Sequence, residues 1–254
     1  MSNPFDRHPV VSREQWLQAR RQHLIHEKAL THHRDQLSAA RRELPWVKID
    51  TRYRFSGPNA EQSLAELFGR HTQLIIYHFM FGPDWTEGCK GCSFLSDHLD
   101  GANLHLAHHD VSVVAVSHAS WEAFQPFKQR MGWQFDWVSS AGSTFNHDFG
   151  VSFTQAQIAN GDVIYNYEKS PEPFDEMPGL SVFYKNERGE IFHTYSTYAR
   201  GLDLLVGTYN FLDLTPKGRN EDPIMNWVRH HDRYEHAGPA DSGEHCCEQG
   251  TAHR

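Results

Sequence analysis

The chain is short of cysteine, with 4 in 254 residues. It also lacks any apolar run approaching the ~20 residues of a membrane-spanning helix. The first shortage excludes a secreted scaffold held by disulfides, and the second excludes a helical membrane protein. Positive charge is scarce as well. A net charge of −8 argues against nonspecific binding of nucleic acid. Residues 1–30 carry no apolar stretch of the signal-peptide kind, so a cytoplasmic location is expected. Neither a membrane nor a nucleic acid is expected among the partners. There is no internal repeat and no low-complexity block. What is plentiful is apolar content, 39%, enough for a sizeable core without cross-links. The 19 histidines sit mostly in polar company, as in His32-His33, His108-His109 and His230-His231, and read as solvated imidazoles.

The chain is organised around Gly88-Cys89-Lys90-Gly91-Cys92. Residues 74–80 ahead of it, Leu-Ile-Ile-Tyr-His-Phe-Met, read as a buried strand. Residues 93–99 behind it read as a helix packed through Phe94, Leu95 and Leu99. A Cys-x-x-Cys between a strand and a helix is a redox motif by position. A sulfur at the first helical turn faces unpaired N–H groups and the positive end of the dipole, an environment suited to an anion. Lys90 adds a cation, and Gly91 keeps the loop tight. Structural zinc wants four ligands, and the only other cysteines are Cys246 and Cys247, adjacent in a polar tail. His78, inside the apolar strand, reads as a core histidine.

Three regions follow from the order of the chain. Residues 1–46 form a helical extension: Ser12-Arg13-Glu14-Gln15 is a capping-box pattern, and Pro45 stops the helix. Its leucines split between two faces, Leu17 and Leu24 on one and Leu30, Leu37 and Leu44 on the other. That split predicts one face on the domain and the other in a homodimer. Residues 47–214 form the main domain. They begin with a strand-like piece over 47–55, a short helix over 63–69 and the central strand with its Cys helix. The continuously apolar 111–117 reads as a strand covered on both faces. Next come a helix over 121–131 bent at Pro126, a strand end over 137–140 and an aromatic stretch over 145–153. Residues 154–178, polar and proline-rich, read as a loop insertion with a short strand at 163–165. Strands over 180–184 and 190–195 form an antiparallel hairpin, and a helix over 201–212 closes the domain. Residues 215–254 read as an irregular polar tail. Its His236, His245, Cys246, Cys247 and His253 read as disordered, with soft-metal binding as the alternative.

Strand, helix, strand, helix, hairpin, helix is the thioredoxin arrangement: an α/β fold, a central mixed sheet flanked by helices, here with a long N-terminal helix. The segments from Tyr77 to Trp85, from Gly88 to Phe94 and from His193 to Asp203 resemble one bacterial thioredoxin-like family of unassigned function. Its members are described as predicted dithiol-disulfide oxidoreductases, similar to the alkyl hydroperoxide reductase and thiol-specific antioxidant branch of the fold. The resemblance spans roughly residues 12–235. The chain departs from thioredoxins in having Gly88 where they carry Trp before the first cysteine, with Trp85 further back. It keeps the peroxiredoxin spacing of Thr86 to Cys89, but Pro83 is one residue too close.

Cys89, nearest the helix entrance, is assigned as nucleophile and Cys92 as the resolving thiol. The resemblance implies that Pro178 stands where the fold carries a cis-proline opposite the disulfide. Arg200 is placed to stabilise a thiolate or polarise a peroxide oxygen, with a structural salt bridge as the alternative. Trp85 and Tyr198 are candidates for an aromatic substrate wall. The expected function is thiol-disulfide exchange with a protein or small-molecule disulfide, recycled by a thiol reductant, without a cofactor. A peroxiredoxin-like peroxidase using Thr86 and Arg200 is one alternative. A non-catalytic copper-binding module with Cys89, Cys92 and His193 as ligands is another.

Overall fold

A computed structural model describes residues 8–58, 60–170 and 174–234. Helix α1 (Arg13–Arg42) leads. Strands β1 (Val47–Lys48), β2 (Arg54–Ser56) and β3 (Glu61–Ser63) and helix α2 (Leu64–Leu67) bring the chain to β4 (Gln73–His78). Two helices, α3 (Lys90–Ser96) and α4 (Leu99–His108), connect β4 to β5 (Val111–Ser117); α5 (Trp121–Arg130) leads on to β6 (Asp136–Ser139). Then come α6 (Phe145–Asp148), α7 (Gln155–Asn160) and a small hairpin of β7 (Ile164–Tyr165) and β8 (Glu168–Lys169). The long hairpin β9 (Gly179–Lys185) and β10 (Ile191–Tyr198) follows, then a 3-10 turn over Ala199–Leu205 and α8 (Gly207–Leu212).

Eight strands form one sheet in the order β1-β10-β9-β4-β5-β6-β2-β3. β4 runs parallel to β5 and antiparallel to β9, and β9 pairs with β10 as a hairpin. A βαβ unit followed by an antiparallel hairpin on the other side of its first strand is the thioredoxin topology. β5 is buried over Val113–Ser117, as its unbroken apolar run requires of a strand covered on both faces. α5 starts on Ser120, whose hydroxyl accepts from the Ala123 N–H at 3.3 Å, and it continues through Pro126.

The expected single strand over 47–55 is in fact two strands at opposite parts of the sheet, one beside β10 and one beside β6. Six strand spacings would separate them by roughly 29 Å if the sheet were flat. The link from Lys48 to Arg54 reaches about 20 Å at most. The sheet must therefore curl, bringing its margins together. The insertion over 154–178 is also more ordered than a loop. Thr154 and Gln157 form a capping box at the start of α7, and Gly161 ends it in the left-handed region with φ 64°. The closing helix expected over 201–212 divides into the 3-10 turn and α8.

Two pieces of the chain depart from their expected roles. Residues 215–234, read as an irregular polar stretch, pack on the domain through Val228 and His230, and His230 is no solvated imidazole. The extension departs the other way. α1 has the expected capping box, yet no residue of it is buried, so neither leucine face is packed into the domain core. Leu30 is 60% and Leu37 is 54% exposed. A helix of this length gains most of its stability by packing an apolar face, so the homodimer proposal falls on this surface. The wild type is expected to sediment as a dimer, and the double variant Leu30→Glu/Leu37→Glu as a monomer. A wild type that stays monomeric at high concentration removes the dimer.

Candidate active site

Two hydrogen bonds to backbone carbonyls hold the cysteine loop on the end of β4. The Ser117 hydroxyl donates to the Phe79 carbonyl at 2.7 Å, and the Cys89 N–H donates to the Met80 carbonyl at 3.2 Å. Cys89 is the N-cap of α3, its carbonyl receiving both the N–H and the hydroxyl of Ser93 at 2.9 Å. Cys92 lies one turn further in. Both thiols are buried, at 5% and 2% exposure. The Met80 N–H approaches the Cys92 sulfur at 3.5 Å, and the Tyr77 hydroxyl hydrogen-bonds to the same sulfur. Burial, and then the proximity of Cys92, push the Tyr77 phenol well above its ordinary range, so it remains a donor.

The strand pleat decides what else can reach the thiols. Neighbouring residues of β4 point to opposite faces: Tyr77 belongs to the core cluster with Cys89 and Cys92, while Leu74 and Ile76 belong to the other. His78 is on that other side, stacked on Phe145 and Phe149. Its Nε2 meets Ser181 Oγ at 2.8 Å, Ser181 meets Ser196 Oγ at 2.8 Å, and Ser196 meets His193 Nε2 at 2.7 Å. His193 is therefore tied into a polar chain on the face away from the cysteines, and the structure does not bring it to them as a third copper ligand. Among the described residues no group of three or more His, Cys, Asp or Glu could hold a metal ion.

The same chain makes the protein sensitive to acid. Burial pushes the His78 imidazole down to about 3. The unfolded chain takes up a proton near pH 6.5 that the folded state refuses until about pH 3. Stability is therefore lost as pH falls below 6.5, by up to about 1.4 kcal/mol per pH unit from this residue. Burial lowers His193 and His230 too, with the same sign. Urea unfolding near pH 7 and about pH 5 should show His78→Phe losing roughly 2 kcal/mol less than the wild type between the two. An equal loss would remove His78 as the cause.

The remaining candidates separate into those at the thiols and those that are not. Cys89, Cys92, Pro178 and Arg200 line one cavity of about 210 Å³. Pro178 sits in it with a trans peptide bond; among the described residues the cis bond is Asp222–Pro223. Arg200 lies at the rim, 73% exposed and paired with Asp203. Tyr198 is no groove wall: it is buried in a separate cluster, and its hydroxyl donates to the Phe149 carbonyl at 2.9 Å. Trp85 packs half-buried on the core, Thr86 is exposed, and Lys90 is half-exposed. None of these last three lines the cavity.

Two clusters had no signal in the chain. The Cys loop is clasped by residues 230–233. His230 Nε2–H donates to the Gly88 carbonyl at 2.9 Å, while its Nδ1 accepts from Arg130 Nη2 at 2.9 Å. That pairing fixes the neutral tautomer, in accord with the downward shift from burial. Glu87 bridges Arg130 and Arg233, and Arg130 Nε also reaches Asp232 at 3.1 Å. In the insertion, the Glu176 carboxyl is buried between His118 Nδ1 and Ser152 Oγ, each at 2.7 Å. Burial raises Glu176, and the bond to Glu176 raises His118. This pair pins the segment that delivers Met177 and Pro178 to the cavity.

A thioredoxin topology with a buried Cys-x-x-Cys opening the helix after the central strand defines a dithiol-bearing protein of the thioredoxin fold. The chain belongs to the family of bacterial proteins of unknown function DUF899, whose pattern matches residues 5–234. Among curated proteins, none matches it. Solved structures resemble it distantly. Peroxidoxin BcpB from Mycobacterium tuberculosis is 11% identical, covering 65% of this chain and 95% of its own, with a TM-score of 0.44. The bacterioferritin comigratory protein of Xanthomonas campestris is 13% identical over 66% and 96%, with a TM-score of 0.43. A protein described as thiol:disulfide interchange protein DsbE, from Chlorobium tepidum, is 10% identical over 65% and 98%, with a TM-score of 0.38. Among the described residues no helix is long and apolar enough to cross a membrane. Cys246, Cys247 and the tail histidines His236, His245 and His253 lie outside the described residues.

Proposed function

We propose that the chain is a dithiol-disulfide oxidoreductase in which Cys89 and Cys92 exchange a disulfide with substrate. The observation that carries this is the placement of both sulfurs, one helical turn apart, in the wall of a single cavity. In the reductive direction the Cys89 thiolate attacks one substrate sulfur and expels the other as a thiolate. Cys92, deprotonated, then attacks the Cys89 sulfur and releases the second substrate thiol. The enzyme loses two electrons and the substrate disulfide gains them; a thiol reductant restores the dithiol by the reverse sequence. Donors from Met80 and Tyr77 meet the charge on Cys92 in the step where it acts.

The peroxidase reading has less support, because it wants Thr86 beside the attacking sulfur and Thr86 is exposed outside the cavity. Copper delivery loses its third ligand with His193. A cytoplasmic setting suits a pair that must be re-reduced by thiols.

Peptide mapping after mild oxidation tests the central claim. One Cys89–Cys92 disulfide within a single chain is expected. Two unmodified thiols, or pairing of either with Cys246 or Cys247, would overturn it.

A further inference from the structure

The cavity on the thiols is built for an apolar ligand. Its floor beside Cys89 and Cys92 is Tyr77, Leu95, Leu202 and Val206, all buried. Phe174, Met177, Ile224 and Met225 stand around the mouth, supplied by the ordered insertion and by the segment after α8. Its polar side chains Tyr77, Tyr165, Arg200 and Asp203 each have a partner within the protein. The Tyr77 hydroxyl is on Cys92. The Tyr165 hydroxyl donates to the Pro178 carbonyl at 2.7 Å and accepts from the Ala199 N–H at 2.9 Å. At the rim Arg200 is paired with Asp203, which also holds Arg219 at 2.9 Å.

A peptide backbone or a sugar drawn in here would leave buried donors and acceptors without partners, at a cost of about 1–3 kcal/mol each. An alkyl or aryl group would forfeit no hydrogen bond by entering. A volume of about 210 Å³ exceeds the roughly 150 Å³ that holds benzene in an apolar protein cavity. It therefore takes on the order of eight to ten non-hydrogen atoms. The reacting thiols are only 5% and 2% exposed in the wall of this apolar space, which favours a small disulfide over one held rigidly in a folded protein.

We infer that the substrate is a small apolar disulfide, R–S–S–R with alkyl or aryl R, bound in this cavity. The inference rests on the dithiol reading above. Cys89 forms a mixed disulfide with one RS group and expels the other as RS⁻. Cys92 then closes the Cys89–Cys92 disulfide and expels the second. The balance is one enzyme dithiol and one R–S–S–R giving one enzyme disulfide and two RSH.

The test uses the full chain, reduced, and follows closure of the Cys89–Cys92 disulfide by acid quench and mass spectrometry. Dibutyl disulfide is compared with bis(2-hydroxyethyl) disulfide and with insulin. Each rate is divided by the rate of the same disulfide with free dithiothreitol. Dibutyl disulfide is expected to react at least about ten-fold faster than either comparator on this scale. Leu202→Trp, which fills the cavity, should abolish that preference; Val206→Phe serves should the first variant not fold. Equal normalised rates, a faster reaction with insulin, or a preference that survives filling would each overturn the inference. Oxidation of the wild type with diamide separates the two levels. If diamide closes the pair but the apolar preference is absent, only the substrate class falls. If diamide leaves the thiols unlinked, the dithiol reading falls and this inference with it.

Discussion

Cys89→Ser is expected to reduce disulfide turnover to below about one part in a thousand, since a serine hydroxyl does not replace a thiolate as nucleophile at neutral pH. Cys92→Ser is expected to stop after one half-reaction. Cys89 still attacks and still expels one thiolate, but nothing remains to attack its sulfur, so substrate stays on the protein as a mixed disulfide. The asymmetry follows from position: Cys89 is the N-cap of α3, whereas Cys92 is inside the helix, held by the Met80 N–H and the Tyr77 hydroxyl. Intact mass after incubation with a disulfide reads both outcomes. A covalent adduct on Cys89→Ser and none on Cys92→Ser would reverse the two roles. Unchanged turnover in both variants would remove the pair from the chemistry.

Gly88→Ala is expected to destabilise the protein by about 1–3 kcal/mol, the usual cost of forcing extra atoms into a packed core. A Cβ at this position would lie 2.5 Å from the Phe79 ring and 2.8 Å from Phe127. Both rings are buried in the cluster that contains the cysteines, so they have little room to give way. The Gly88 carbonyl is also the acceptor for His230, so a shift of the backbone would loosen the clasp on the loop. A larger residue such as tryptophan, which thioredoxins carry here, should not be accommodated at all. Urea unfolding of Gly88→Ala measures the cost, and a midpoint equal to that of wild type would show that the rings move aside freely. The departure from the thioredoxin pattern thus has a steric reason: Phe79 and Phe127 already occupy the space in front of the loop.

Several elements of the molecule are local and could be read from the chain. The Cys-x-x-Cys lies between an apolar run and a helix, and those neighbours form β4 and α3. The capping box at Ser12 does start α1, because both of its hydrogen bonds are made within residues 12–15. The β9–β10 hairpin follows from two closely spaced strand-like runs around Asn186-Glu187-Arg188-Gly189, where Gly189 adopts φ 77°. Each of these depends on contacts close in sequence or on a period that the residues themselves display.

Other features are invisible in the chain because their partners are far apart along it. His230 reads in the chain as one more surface histidine, and only the return of residues 215–234 to the Cys loop makes it a buried donor to Gly88. Glu176 sits in a proline-rich insertion, and its partner His118 follows β5. The two-faced leucine pattern of α1 is legible, but whether the domain covers either face depends on where the helix sits, and the fold buries no leucine of either face.

The chain by itself determined the strand-loop-helix that presents two thiols, because hydrophobic period, capping and glycine placement act over a few residues. Tertiary structure alone decided what surrounds those thiols. The pleat of β4 sends Tyr77 toward Cys92 and His78 away from it. The pinned insertion, the 3-10 turn after β10 and the returning segment line an apolar cavity beside both sulfurs. Long-range packing sets these relations, and residue order does not display it.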